Sequence, residues 1–498
     1  MTRSPAIRNT SLASLAATAL GIMALSGCTV GPDHFAPEAR TPEQWPESLE
    51  GGVVAEAPDL REWWARFEDP MLSTLVDRAL EGNLDLRDAA ARVREARALR
   101  GVTASDQFPT VDVGASAAYS RDSENAFEDG GFGSPGEETD FYDVGFDASW
   151  EIDVFGRVRR AVEAADADLA ASIESERDVR VILVAEVART YMELRAAQSR
   201  LDIATENVRI QQETVGLSRD LLGAGLGTDL QVSQATTQLE STRSQIPVLT
   251  IRLKQAAHRL DVLLGKQPGT LASELAAVSP VPPSPGEIPI GLPAELLRRR
   301  PDIRRAEREL AAATARVGVA TADLYPRFTL TGSFGLESED TDTLFSADSQ
   351  TWSVGPLAVR WPIFTAGRVR GTIKVNEARQ EQALIAYERT VLLAYEEVAN
   401  ALVSYARVRE RRALLERAAA SSATSVELSQ DLWTRGLTDF LNVLDSQRAL
   451  FVLQDQLAES AADEATSLVA LYKALGGGWD ERAIEQAAGE PVGAVASN

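Results

Sequence analysis

The chain is short of the residues that most catalytic and metal centres require. Its 498 residues include one cysteine, Cys28, and two histidines, His34 and His258. A lone cysteine excludes disulfides within the chain and thiolate zinc sites, and two histidines leave little for a metal centre or a His-based triad. Aromatic residues reach only 6%. Cations are outnumbered, with 50 Lys and Arg against 74 Asp and Glu, and the net charge of −24 has the wrong sign for a nucleic-acid binder. With 25% charged and 44% hydrophobic residues, the chain is neither disordered nor a polytopic helical membrane protein. Length alone, at about 150 residues per domain, predicts roughly three domains.

What is present begins at the N-terminus. Arg3 and Arg8 precede an apolar run, Leu12 to Leu25, that ends in Leu25-Ser26-Gly27-Cys28. As a helix this run spans about 21 Å, short of the roughly 30 Å hydrocarbon core, so residues 1–27 read as a cleaved signal peptide. The Leu-Ser-Gly-Cys ending resembles a bacterial lipobox, which implies that Cys28 is the lipidated first residue of the mature chain. Thr29, in place of Asp, favours the outer membrane within that lipoprotein class.

The chain also repeats itself. Asp85-Leu86-Arg87, Gly101, Asp106 and Pro109 match Asp302-Ile303-Arg304, Gly318, Asp323 and Pro326 at a constant separation of 217. Trp150, Ile152 and Gly156-Arg157-Val158-Arg159 match Trp361, Ile363 and Gly367-Arg368-Val369-Arg370 at 211, and Gly225-Leu226 match Gly436-Leu437 at the same 211. A register held over more than a hundred residues marks a duplication.

Each half reads as helix, strand, strand, long helix, long helix. Tyr142, Val144, Phe146, Ala148 and Trp150 alternate with polar or small residues, as do Val111, Val113, Ala115, Ala117 and Tyr119, and Phe328, Leu330, Phe334 and Leu336. Trp352 and Val354 have the opposite parity to Leu357, Val359, Trp361 and Ile363, which predicts a bulge near Gly355-Pro356. Segments of this length suffice for tilted membrane-crossing strands, although alternation alone also suits a soluble sandwich. Between the paired strands lie two loops without cations. One holds Asp122, Glu124, Glu128, Asp129, Glu137 and Glu138, and the other Glu337, Glu339, Asp340, Asp342 and Asp348, as expected of the cell-exterior end of a barrel.

From Gly156 to about Leu222 there is no proline, enough for about 100 Å of helix. Val187, Leu194, Leu201, Val208, Val215 and Leu222 recur every seven residues, and Val398, Tyr405, Val426 and Trp433 keep parts of that seam. Sustained heptads predict left-handed supercoiling against neighbouring helices. Pro247 should kink the first return helix. Four strands cannot close a membrane barrel, and open edges in lipid cost several kcal/mol per unpaired group, so spanning strands require association of chains.

These features together resemble the outer-membrane factor family, the TolC-like and OprM-like exit ducts, in its lipoprotein branch serving resistance-nodulation-division efflux systems. The resemblance is carried by Gly291-Leu292-Pro293, Leu296-Leu297-Arg298-Arg299-Arg300-Pro301-Asp302-Ile303, Ala306-Glu307, Cys28 to Asp33, and Trp63-Trp64 through Phe67-Asp69-Pro70. It implies an α+β membrane protein that trimerises into a 12-stranded β-barrel on a 12-helix α-barrel. Residues 28–80 would form a lipid-anchored equatorial segment, 81–265 and 296–478 the two repeats, 266–295 a Pro-rich equatorial linker and 479–498 a tail. The expected strands are 109–121, 139–152, 326–338 and 351–364; the expected long helices are 156–222, 229–264, 367–434 and 439–475. Gly225, Leu226, Gly436 and Leu437 match the family's tip motif, which docks onto a periplasmic adaptor (membrane fusion) protein that serves an inner-membrane pump. Simple helix–turn punctuation explains the same residues. Asp445 matches the family's constriction aspartate, with Asn442, Trp433 and Gln231 beside it in a periplasmic gate; an ordinary solvated acid and a packing tryptophan are the plainer readings. Asn442 stands where some members carry a second aspartate, so a doubled charge ring is not expected.

The function so implied is the outer-membrane exit duct of a tripartite efflux pump, passively conducting small toxic molecules and needing no cofactor. A type I protein secretion duct and a lipid-anchored coiled-coil scaffold are the competing readings. An enzyme finds little support, since Gly223-Ala224-Gly225-Leu226-Gly227 follows a long helix and lacks the spacing of a dinucleotide-binding turn.

Overall fold

The computed structural model describes residues 29–480, apart from 39–41, 43, 48–49, 51, 57–58, 122 and 124–137. The signal segment, Cys28 and the acids of the first loop other than Glu138 therefore lie outside the described residues. In chain order the first half contains α1 (Pro70–Gly82), α2 (Leu84–Ser105), β1 (Thr110–Arg121), β2 (Glu138–Ile152), α3 (Arg157–Gly223), α4 (Asp229–Arg243) and α5 (Gln245–Leu263). The second contains α6 (Pro301–Ala322), β3 (Arg327–Ser338), β4 (Gln350–Arg360), α7 (Arg368–Thr434) and α8 (Phe440–Ala474). Both α3 and α7 run for 67 residues.

The described residues fall into two compact units. The first combines residues up to 37 with 94–171 and 306–387. At its centre the strands form an antiparallel sheet in the order β1-β2-β3-β4, leaving β1 and β4 as edges. One row across the sheet reads Val113, Phe146, Phe334 and Trp352; the neighbouring row on the other face reads Asp112, Asp147, Ser333 and Ser353. Cross-strand partners share a face, so one side of the sheet is apolar and the other polar. The apolar side is exposed in the single chain. The β3–β4 register shifts between Leu330 and Gly332, opposite Gly355-Pro356, where the bulge was expected. Strand β4 ends at Arg360, four residues short of the expected limit, because Pro362 lacks the N–H that would continue a ladder.

Where β2 turns into α3, the N-terminal segment docks. Val30 donates its N–H to the Phe155 carbonyl at 3.2 Å, and Thr29 lies against Gly156, whose φ is +80°. The buried Arg160 guanidinium donates to the carbonyls of Val30 and Gly31 and to Asp33 at 2.6 Å. Gly31 packs backbone to backbone on Gly318, where a Cβ would lie 2.4 Å from the Gly318 Cα, so no side chain fits. Thr29 is thereby held at the foot of β2.

The second unit combines residues 38–93, 172–305 and 388 onward. Its main core gathers Trp63, Phe67, Leu72, Val187, Tyr191, Leu194, Val398, Tyr405, Leu468 and Tyr472 around the middle of the long helices. Asp69 caps α1, accepting from the Leu72 N–H at 3.0 Å, and also accepts the Tyr191 hydroxyl at 2.8 Å. Burial pushes the Tyr191 phenol up to about 12, and the bond to Asp69 pushes the same way. Arg300, buried at the start of α6, pairs bidentately with Asp302, reaches Glu397 at 2.7 Å and donates to the Ala474 carbonyl. The Trp-Trp and Arg-Arg-Arg-Pro-Asp strings are thus core and clamp residues. The first return helix is broken at Ser244, into α4 and α5, with Pro247 in the first turn of α5. Without an N–H, and with its ring against the preceding turn, Pro247 cannot support a continuous ladder there.

Candidate functional site

Two helix-to-helix tips carry the residues singled out above. Helix α3 ends with Gly225 at φ +76° and α7 with Gly436 at φ +72°. In each, the next leucine closes a six-residue ring. Leu226 donates to Leu221 at 2.9 Å and Leu437 to Leu432 at 2.8 Å, while Gly225 and Gly436 donate to Leu222 and Trp433. This is the Schellman arrangement, in which the left-handed residue must be Gly or Asn to avoid a Cβ penalty. In such a motif the residue after the glycine usually packs back on its helix. Here Leu226 and Leu437 are instead 78% and 69% exposed, and Leu230 and Leu441 stand open beside them.

The two tips differ in their return helices. At the first, Thr228 and Gln231 form a capping box: the Thr228 N–H reaches the Gln231 Oε1 at 3.0 Å, and the Gln231 N–H reaches the Thr228 Oγ1 at 3.4 Å. The Gln231 side chain is therefore engaged in starting α4. The Thr-x-x-Gln spacing was a legible sign of this role. At the second, Asp439 caps α8 without a side-chain bond, and Asn442 donates to the Thr438 hydroxyl at 2.7 Å. Trp433 lies on Phe440 with ring centroids 5.0 Å apart. A small cluster of Val215, Ala235, Leu239, Phe440, Val443 and Leu444 packs beneath, with Val208 and Trp433 at its margin. Asp445 is exposed on the face of α8 turned away from that cluster. Trp433 and Asn442 thus belong to the same tip, with Gln231 on the other.

Sequence reasoning missed the Arg160 latch and a polar layer above the tip. There Asn207 donates to Gln454, Gln447 to Thr214 and Arg448 to Gln238. Gln211 is buried with neither amide atom bonded among the described residues. No local pattern marks these positions.

Among the described residues no helix is long and apolar enough to cross a membrane. The strands, of 12, 15, 12 and 11 residues, are long enough to do so when tilted. A four-stranded sheet with one apolar face and two 67-residue helices are the elements of a channel-forming outer-membrane fold. The sequence agrees. The profile of the outer membrane efflux protein family matches residues 75–266 and 292–477, once in each half, and the chain belongs to that family. It is 34% identical over 466 residues to the solvent efflux pump outer membrane protein SrpC of Pseudomonas putida, covering 92% of this chain and 97% of that one. It is 33% identical over 461 residues to the cation efflux system protein CusC of Escherichia coli, with the same coverages. The structure of the outer-membrane channel OprN superposes with a TM-score of 0.85 at 39% identity, over 91% of this chain and all of that one. The open-state MtrE channel of Neisseria gonorrhoeae gives 0.78 at 28%, over 91% and 98%. The protein is an outer-membrane channel that serves as the exit duct of an efflux pump.

Proposed function

We propose that three copies of the chain close their sheets into one 12-stranded barrel above a 12-helix tunnel, through which small molecules leave the cell passively. The observation that carries this is the open sheet: one face is apolar, and among the described residues the edges β1 and β4 have no partner strand. Open edges in hydrocarbon cost several kcal/mol per unpaired group, so the sheet must close on other copies. Cys28 carries the lipid, one residue before Thr29 at the foot of β2. Leu226 and Leu437, exposed beside Gly225 and Gly436, dock a periplasmic adaptor that links the duct to an inner-membrane resistance-nodulation-division pump. Asp445, with Asn442 and Trp433 nearby, lines the narrow end in three copies. A carboxylate ring there attracts cations and repels itself. Gln231 acts at that gate only indirectly, by starting α4.

The purified protein should run as a heat-modifiable trimer and open discrete conductance steps in planar bilayers. Its mass should include acyl chains that Cys28→Ser removes without dissolving the trimer. A monomer that conducts nothing would return the chain to the scaffold reading.

A further inference from the structure

Helix α8 gives way to Gly476-Gly477-Gly478-Trp479, a string that belongs to neither a tip nor a strand. These residues cross back over the main core as a strap. The Gly477 N–H returns to the Tyr472 carbonyl at 3.0 Å, ending the helix, and the Gly478 N–H reaches the Leu60 carbonyl at 2.8 Å. Gly477 runs flat against Trp63, where a Cβ would lie 2.8 Å from the indole Cδ1, so only glycine passes. Arg180 of α3 donates to the Gly478 carbonyl at 3.2 Å.

Trp479 is the buckle. Its indole N–H donates to the Arg299 carbonyl at 3.1 Å. The Arg177 and Arg304 guanidiniums lie over its ring, 4.8 and 5.2 Å from the centroid. The buried Glu174 carboxylate holds both of them, at 2.7 and 2.9 Å. A cation over an indole face is attracted by the ring's quadrupole, more strongly where water is excluded. Four segments distant in the chain thus meet on the strap: the stretch around Leu60 and Trp63, α3, the start of α6 and the end of α8.

The duplication shows that the repeat itself does not need this strap. Both halves close in the same way: Asn83 donates to the Leu263 carbonyl and Arg300 to the Ala474 carbonyl, each at 2.9 Å, with counterparts 217 and 211 residues apart. Beyond that point the halves part. Trp479 corresponds to Pro268, Glu174 to Ile385 and Arg177 to Glu388. The first half therefore has no ring after its last helix, and α7 lacks the residues that would hold one.

We propose that residues 476–479 are a completion strap: its closure over Trp63 commits the helical unit to native packing, and the chain stays open to proteases until then. The strap follows every described helix of its unit in the chain, so it enters the fold after them. Its bond to Leu60 joins the late end of the unit to its early end. The inference does not depend on how many copies close the barrel.

Pulse-labelled cells test this through the rate at which the protein in outer membranes becomes resistant to protease. Trp479→Ala should slow that step about tenfold, because a contact made at the commitment step acts on the rate of folding. Leu271→Ala removes a side chain buried in the same core but outside the strap. It should lower the melting temperature and keep the rate within about twofold of the parent. A chain stopped after Asp480 should mature like the parent, and one stopped after Gly478 like Trp479→Ala. If Trp479→Ala matures at the parental rate, or Leu271→Ala slows maturation as much, the strap is ordinary core and the proposal fails. Slow maturation of the chain stopped after Asp480 would also overturn it, by moving the step outside residues 476–479.

Discussion

The helical unit holds two apolar cores of very different weight. The main core brings together Trp63, Trp64, Phe67, Tyr191, Tyr405 and Tyr472 with many Leu and Val side chains, and Trp63 stacks on Tyr472 at 5.1 Å with no exposure. The tip core has six buried apolar residues, two aromatics in tilted contact and leucines left in the open. Between them the same helices, α3 and α8, meet through Asn207, Gln454, Thr214 and Gln447. A buried hydrogen bond contributes about 1 kcal/mol net, and an unbonded buried amide such as Gln211 costs about 1–3 kcal/mol. The same pair of helices is thus locked at one level and weakly held at the other. The difference teaches where the proposed duct is expected to move: the main core fixes the helices at mid-length, and the smaller tip cluster is the place for an element that shifts between states.

Substitutions at the two levels sharpen that contrast. The largest effect should come from Trp63→Ala, which removes a fully buried indole and should destabilise the chain by about 3–5 kcal/mol. Thermal unfolding of the purified protein and its yield in outer membranes measure this, and a variant that melts like the parent would deny the main core its anchoring role. Phe440→Ala removes the support of Trp433 at a comparable local cost, about 3 kcal/mol, confined to the tip. It should leave the main melting transition in place and raise single-channel conductance. A global loss of stability would show that the tip and the main core unfold together. Asp445→Ala should have the smallest effect on stability, since the side chain is exposed, and should raise conductance by less than Phe440→Ala. Unchanged conductance removes Asp445 from the gate.

Much of this was open to a reading of the sequence because it is periodic or local. The alternation in residues 110–121 and 327–338 anticipates which side chains share a face, and the parity break at Gly355-Pro356 anticipates the register shift. Gly225 and Gly436 announce helix ends because the positive φ there excludes most other residues. The heptad positions Val187, Leu194, Val398 and Tyr405 are all buried. The site residues were less legible. Gln231 has the right place in the repeat for a gate, yet its amide closes a capping box. Asn442, its counterpart, has a different partner because Asp439 stands where Thr228 does.

What the sequence determined by itself is the duplication, the two faces of each strand, the length of the helices and the points where they turn. The duplication is a match along the chain, and the others depend on residues within a turn or two of one another, so a one-dimensional pattern carries them all. Only the tertiary structure decided that β2 pairs with β3 across nearly two hundred residues, that Val30 hangs from Phe155 beneath Arg160, and that Trp63 stacks on Tyr472. Those choices depend on which distant surfaces meet, and chain closure, side-chain shape and hydrogen-bond satisfaction settle that only once the helices and strands are in place.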